Sequence, residues 1–152
     1  MSDIVIVAGK RTPMGEYGGA LRDFTATELA AIASKAAIAQ SQFEPADFHH
    51  AVSGNAMQTS GDSLYGARHV ALKAGLPIEM PALTVNRLCG SGIQSIISAA
   101  QLIKLGEAEV VLAGGMESMS QARHVIRGAR WGLRLGEGKL EDSLMVALLD
   151  TH

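Results

Sequence analysis

The chain reads as an α/β protein: an open sheet in βαβαβαβ order with helices on both faces. Three observations predict this. Four short apolar runs (Ile4–Ala8, Ala51–Gly54, Ala82–Val85 and Val110–Ala113) each lead into glycine or asparagine. Between them lie three segments whose apolar residues recur at helical spacing. The runs show no alternation, as expected of strands covered on both sides, and parallel strands need crossovers of this kind.

Ile4–Ala8 is the first expected strand, a central one, ending at Gly9-Lys10-Arg11-Thr12-Pro13. A glycine-rich loop follows from Gly15 to Gly19. Thr25-Ala26-Thr27-Glu28 then has the form of a capping box, in which Thr25 accepts from a backbone N–H and Glu28 reaches back. Leu29, Ile32, Ala33, Ala36 and Ala37 mark one face of the helix it opens. After the second strand, Asp62 is positioned to cap a helix carrying Leu64, Ala67, Ala71 and Leu72, which Gly75 and Pro77 close. The third strand leads to a third helix, with Ile93, Ile96, Ile97, Ala100 and Ile103 on one face and Gly106 at its end. Beyond Met116 the character changes, with Arg123, Arg127, Arg130, Arg134, Lys139 and Trp131 in a glycine-containing stretch. The apolar run Leu144–Leu149 before the last residues reads as a structure cut in its middle.

A length of 152 residues suits one domain with a real core. Apolar residues make up 47% and charged ones 18%, which excludes a disordered chain. A net charge of −2 supplies no electrostatic case for nucleic acid or an anionic membrane. No apolar stretch approaches the length of a membrane span, and the start of the chain lacks the basic residues of a secretory signal. One cysteine excludes an internal disulfide and fits a reducing compartment, so the expected location is cytoplasmic.

That cysteine, Cys89, sits in Asn86-Arg87-Leu88-Cys89-Gly90-Ser91-Gly92 at a strand-to-helix corner. There the backbone N–H groups and the helix dipole favour thiolate over thiol, and the thiolate is the nucleophile. The flanking glycines allow close approach to the sulfur. A free cysteine is otherwise most often a small core hydrophobe, and the neighbourhood is what argues against that here. Gly114-Gly115 lacks the pattern of a phosphate loop and reads as a tight turn passing near another element. Glu117, just beyond, is either a buried carboxylate of that turn or an exposed one. His49, His50, His69, His124 and His152 show no zinc spacing, and none is selected as a base for Cys89. The arginines after residue 122 could meet a phosphate-rich ligand, but a solvated charged face is the simpler reading.

The cysteine heptapeptide and Gly114-Gly115-Met116-Glu117-Ser118-Met119-Ser120 closely resemble the thiolases, acetyl-CoA acetyltransferases and 3-ketoacyl-CoA thiolases. Arg11-Thr12-Pro13, Gly54-Asn55 and Pro81–Val85 match as well, so the resemblance covers the whole chain. Ketoacyl synthases tend to carry Ala-Cys-Ser around the nucleophile, which is absent here.

The resemblance implies an incomplete N-terminal thiolase α/β domain over residues 1–120 and the beginning of a loop subdomain over 121–152. It implies that Cys89 carries an acyl group as a thioester during Claisen condensation or thiolysis of 3-ketoacyl-CoA. It makes the Cys89 N–H an oxyanion donor, worth about 10²–10³ in rate, and Leu148 a lining residue of the substrate pocket. Acyl-CoA thioesters are the implied substrates, with no permanently bound cofactor and no metal, and a dimer or tetramer is the implied assembly. The Gly-His-Pro and Cys-x-Gly-Gly-Gly motifs that bring the family's bases are missing, as is the sheet's last strand. A fragment, a truncated form or one subunit of an enzyme encoded in two pieces would each fit, and a complementary chain is the expected partner. The competing expectation is a non-catalytic subunit of thiolase type that binds CoA or lipid or serves as a scaffold.

Overall fold

The computed structural model describes residues 3–149. Three parallel strands form the sheet: His50–Gly54 (β1), Ala82–Val85 (β2) and Val111–Gly115 (β3), in the order β2-β1-β3. Helices Ala26–Ser41 (α1), Gly66–Ala74 (α2) and Ser91–Lys104 (α3) supply the crossovers. The pleat of β1 sorts them onto two faces. Ala51 packs with Ile38 of α1 and Ala71 of α2. Gly54, three residues on and therefore on the other face, lies against Ser91 at the start of α3. Beyond β3, His124–Ile126 (β4) and Leu140–Asp142 (β5) pair as a separate antiparallel ladder, followed by the short helix Ser143–Ala147 (α4).

Local chemistry sets most boundaries where the sequence places them. Thr25 and Glu28 make both halves of the capping box. Gly75 takes the left-handed conformation (φ 93°) that closes α2, and Gly106 does the same (φ 73°) after α3.

Four expectations are corrected. Ile4–Ala8 is not a paired strand. It forms no ladder, and Val5, Ile6 and Val7 are exposed. The run faces β3 across a cavity of about 500 Å³, also lined by Ala33 and Ala37 of α1 and by Ile96 and Ala100 of α3. Helices from both faces thus border this cavity, which places it in the layer of the sheet. Second, Asp62 does not cap α2, whose preceding residue is Tyr65. Third, α1 buries Ala26, Thr27, Ala31 and Ile38, whereas Ile32 is exposed. Fourth, α3 buries Ser91, Ser95 and Ala99 and leaves Ile93, Ile96 and Ile97 exposed. Small residues let α3 approach the sheet closely, while Ile96 of its isoleucine stripe borders the cavity beside β3.

Asp62 ties the helical layer together instead. Its carboxylate accepts from Thr27 Oγ1 at 2.6 Å, Ser60 Oγ at 2.6 Å and Lys73 Nζ at 2.7 Å. Burial raises the pKa of this carboxyl. The Lys73, Ser60 and Thr27 donors and the Lys73 charge outweigh burial and hold it well below the usual carboxylate range. Because the folded-state value is depressed, the stabilisation is complete above the unfolded value of about 3.9 and is lost as pH falls below it. Asp62→Asn is expected to cost roughly 1–2 kcal/mol at pH 7. In thermal melts, the gap between wild type and variant should close as pH drops from neutral towards acid.

Gly54 has no room for a side chain. A Cβ there would sit 2.6 Å from the Ser91 carbonyl carbon and oxygen, which are backbone atoms that cannot step aside. Gly54→Ala is expected to cost on the order of 2 kcal/mol or more in urea unfolding, as overpacking against a fixed wall does.

Candidate active site

β2 ends at Val85 and α3 begins at Ser91, so Cys89 occupies a five-residue corner between them. The corner is closed by its own hydrogen bonds. Gly90 N–H donates to the Arg87 carbonyl and Ser91 N–H to the Leu88 carbonyl, each at 3.0 Å. Ser91 Oγ donates to the Leu88 carbonyl at 2.6 Å and accepts from Arg87 N–H at 2.8 Å. Leu88, immediately before the cysteine, has φ 47°. That left-handed conformation is unfavourable for a branched side chain and persists only when its surroundings enforce it.

The result is an exposed thiol at the N-terminal end of a 14-residue helix. Among the described residues, the N–H of Cys89 makes no hydrogen bond and so remains available to an incoming oxygen. The sulfur opens on a cavity of about 790 Å³, lined by the Arg11–Met14 turn, Gly54–Ala56 and Gly115–Ser120. Leu29, Ala30 and Ala33 of α1 form part of its wall. This explains why the expected apolar face of that helix is only partly buried.

Two glycines bring the ends of β1 and β3 against the start of α3. Gly54 touches Ser91, and a Cβ on Gly115 would lie 3.3 Å from Gly92 Cα. Gly114-Gly115 is thus not the tight turn expected: both residues end β3, paired with Ser53 and Gly54, and Gly115 alone makes the expected close approach to another element. Glu117, left open by the sequence, is half-buried and accepts from Asn55 Nδ2 at 2.9 Å, Ala56 N–H at 3.0 Å and Met57 N–H at 3.2 Å.

Other candidates are not brought to this place. Leu148 follows α4, is exposed, and does not line the cavity. His49, His50, His69 and His124 do not line it either; His50 Nδ1 lies 3.0 Å from the Ala51 carbonyl, and His69 lies beside Tyr65. His152 falls outside the described residues. Of the later arginines, Arg127 pairs with Glu141 at 2.7 Å and is mostly exposed, in keeping with a solvated charged face. Among the described residues, no group of three or more His, Cys, Asp or Glu is placed to hold a metal ion. Nor is any helix long and apolar enough to cross a membrane. Sequence reasoning gave Asn86 and Asn55 only a place in their motifs and no structural part. Their signal was position, since asparagine at a strand end is suited to bonding nearby backbone.

Comparison with known proteins agrees with this geometry. The family model described as the thiolase N-terminal domain matches residues 4–152. The human mitochondrial 3-ketoacyl-CoA thiolase is 54% identical over 150 residues, covering 98% of this chain and 38% of the relative. A beta-ketothiolase of Cupriavidus necator is 46% identical, covering 97% and 38%. A crystal structure of the human mitochondrial enzyme in complex with CoA superposes with a TM-score of 0.92 at 55% identity, covering 96% of this chain and 37% of that one. The acetyl-CoA acetyltransferase of Bacillus anthracis gives 0.91 at 39% identity, covering 97% and 37%. The chain thus spans about 38% of the length of the curated relatives it matches. The cytoplasmic expectation is overturned here, because the human, orangutan and bovine relatives are mitochondrial. A lone unpaired thiol reports a reducing environment and not an address. On the family-model match, the identities and the superposition together, the chain belongs to the thiolase family and corresponds to the N-terminal part of its members.

Proposed function

We propose that Cys89 is the nucleophile of an acyl-CoA:acetyl-CoA C-acyltransferase. The observation that carries this reading is the exposed thiol at the head of α3, beside an unengaged N–H, in an open cavity. A base takes the Cys89 thiol proton, later passed to the departing CoA, and the thiolate attacks the acyl-CoA carbonyl carbon, whose carbonyl electron pair moves onto oxygen. The Cys89 N–H donates to that oxyanion. Collapse of the intermediate breaks the bond to CoA sulfur, which leaves as a thiolate and takes up a proton. The acyl group remains on Sγ as a thioester. In the condensing direction, a base removes the α-proton of acetyl-CoA. The resulting carbanion attacks the thioester and expels the Cys89 thiolate, giving 3-ketoacyl-CoA. Thiolysis runs the same steps backwards.

Among the described residues, no histidine lines the cavity to serve as a base. We therefore place the base on a complementary polypeptide that supplies the part of the relatives this chain does not span. Two features support such a partner. The cavity in the sheet layer has unpaired Ile4–Ala8 on one side and the open edge of β3 on the other, as a further strand would require. Ile93, Ile96 and Ile97 of α3 are exposed, an apolar face that a further layer of chain would cover. β2 is also an edge strand, and a dimer or tetramer would cover it. Residues 1–120 would form the α/β domain. Residues 121–152 would begin a subdomain over the substrate, since β4 and β5 stay out of the parallel sheet. Leu148 would reach the acyl chain from there.

Incubation with acetyl-CoA, with and without a C-terminal thiolase polypeptide, followed by intact mass measurement, tests the proposal. One acetyl group is expected on the wild type in the pair and none on Cys89→Ser. No adduct under any pairing, with CoA still bound, would favour the non-catalytic binding subunit.

A further inference from the structure

The hydrogen bonds around Cys89 run outward in one unbroken line that ends on a carboxylate. Leu88 N–H donates to Asn86 Oδ1 at 3.0 Å. Asn86 Nδ2 donates to the Ala56 carbonyl at 3.1 Å. Ala56 in turn belongs to a turn pinned by Glu117. Oε2 accepts from Ala56 N–H at 3.0 Å, while Oε1 accepts from Met57 N–H at 3.2 Å and from Asn55 Nδ2 at 2.9 Å. Asn55 is 1% exposed and also donates from Nδ2 to the Met116 carbonyl at 3.1 Å and from its N–H to the Val85 carbonyl at 3.1 Å. The chain just beyond β1, the last residue of β2 and the residue after β3 are thus laced together around one side chain.

Three N–H donors converge on two oxygens of Glu117. A carboxylate only accepts, so it satisfies all three; a glutamine amide would turn a donor towards a donor. The corner needs this support, because Leu88 sits in the left-handed region (φ 47°) and its N–H has Asn86 as its only acceptor among the described residues.

We infer that Glu117 is a positioning residue for Cys89: acting through the Asn55–Met57 turn and Asn86, it holds Leu88 in the conformation that sets the sulfur at the head of α3. For its catalytic consequence the inference rests on the reading of Cys89 as the acyl-accepting nucleophile. Its geometry stands without that reading.

The test uses the full chain as wild type, Glu117→Gln, Asn86→Ala and the double variant. Cys89 is the only cysteine, so alkylation by iodoacetamide followed by intact mass reads it alone. Each single variant should slow alkylation about fivefold, and the double variant should be no slower than either, because both cut the same line. In Glu117→Gln, hydrogen exchange at the Leu88 amide should quicken roughly tenfold while that at Val52 in β1 stays unchanged. A merely structural role would move both amides together, and that result overturns the inference. So does a double variant slowed by the product of the two singles, or an unchanged Leu88 amide in Glu117→Gln. If Glu117→Gln does not fold, Asn86→Asp keeps the acceptor for Leu88 and loses the donor to Ala56; alkylation at the wild-type rate then overturns the inference. Absence of an acetyl adduct on the wild type in the pair, with the alkylation pattern intact, would sink the acyl-transfer reading alone.

Discussion

The close seating of the α3 N-terminus on the ends of β1 and β3 is the constraint on which the rest depends. Gly54 lies against Ser91, and Gly115 against Gly92. Without side chains at these two strand positions, a helix end sits where a parallel sheet delivers its loops. Everything distinctive about Cys89 follows from that seating: its exposure, its place at the positive end of a helix, and the unengaged N–H beside it. The same seating forces the chain to turn from β2 into α3 within five residues, which explains why Leu88 takes a conformation that leucine disfavours.

Much of this was legible in the residues. The three paired strands follow their apolar runs, because a strand covered on both faces has little choice of composition. Thr25 with Glu28, and Gly75 with its positive φ, fix helix ends through local bonds that need no distant partner. The corner carrying Cys89 was legible for the same reason: an apolar run, a glycine pair and a helical period adjoin within a dozen residues.

What was not legible depends on neighbours. Ile4–Ala8 has a strand's composition, but pairing is a property of two chains' edges, and its neighbour across the cavity is not adjacent. The isoleucines of α3 mark an apolar face correctly, yet burial of that face depends on what lies opposite; the sheet itself is met by Ser95 and Ala99. Asp62 had the position of a cap and found stronger donors in Lys73, Thr27 and Ser60. Glu117 was ambiguous because two of its three donors are backbone N–H groups, all three lie 60 residues or more away, and backbone donors leave no mark in a sequence.

The account puts the acyl carbon on one sulfur and its oxyanion on one neighbouring N–H. A crystal structure of this chain with a C-terminal thiolase polypeptide, soaked in acyl-CoA, addresses both at once. The account predicts an acyl group on Cys89 Sγ with its carbonyl oxygen about 2.7–3.1 Å from the Cys89 nitrogen. CoA thioester bound intact beside an unmodified sulfur, or an acyl oxygen turned away from that N–H, would contradict it.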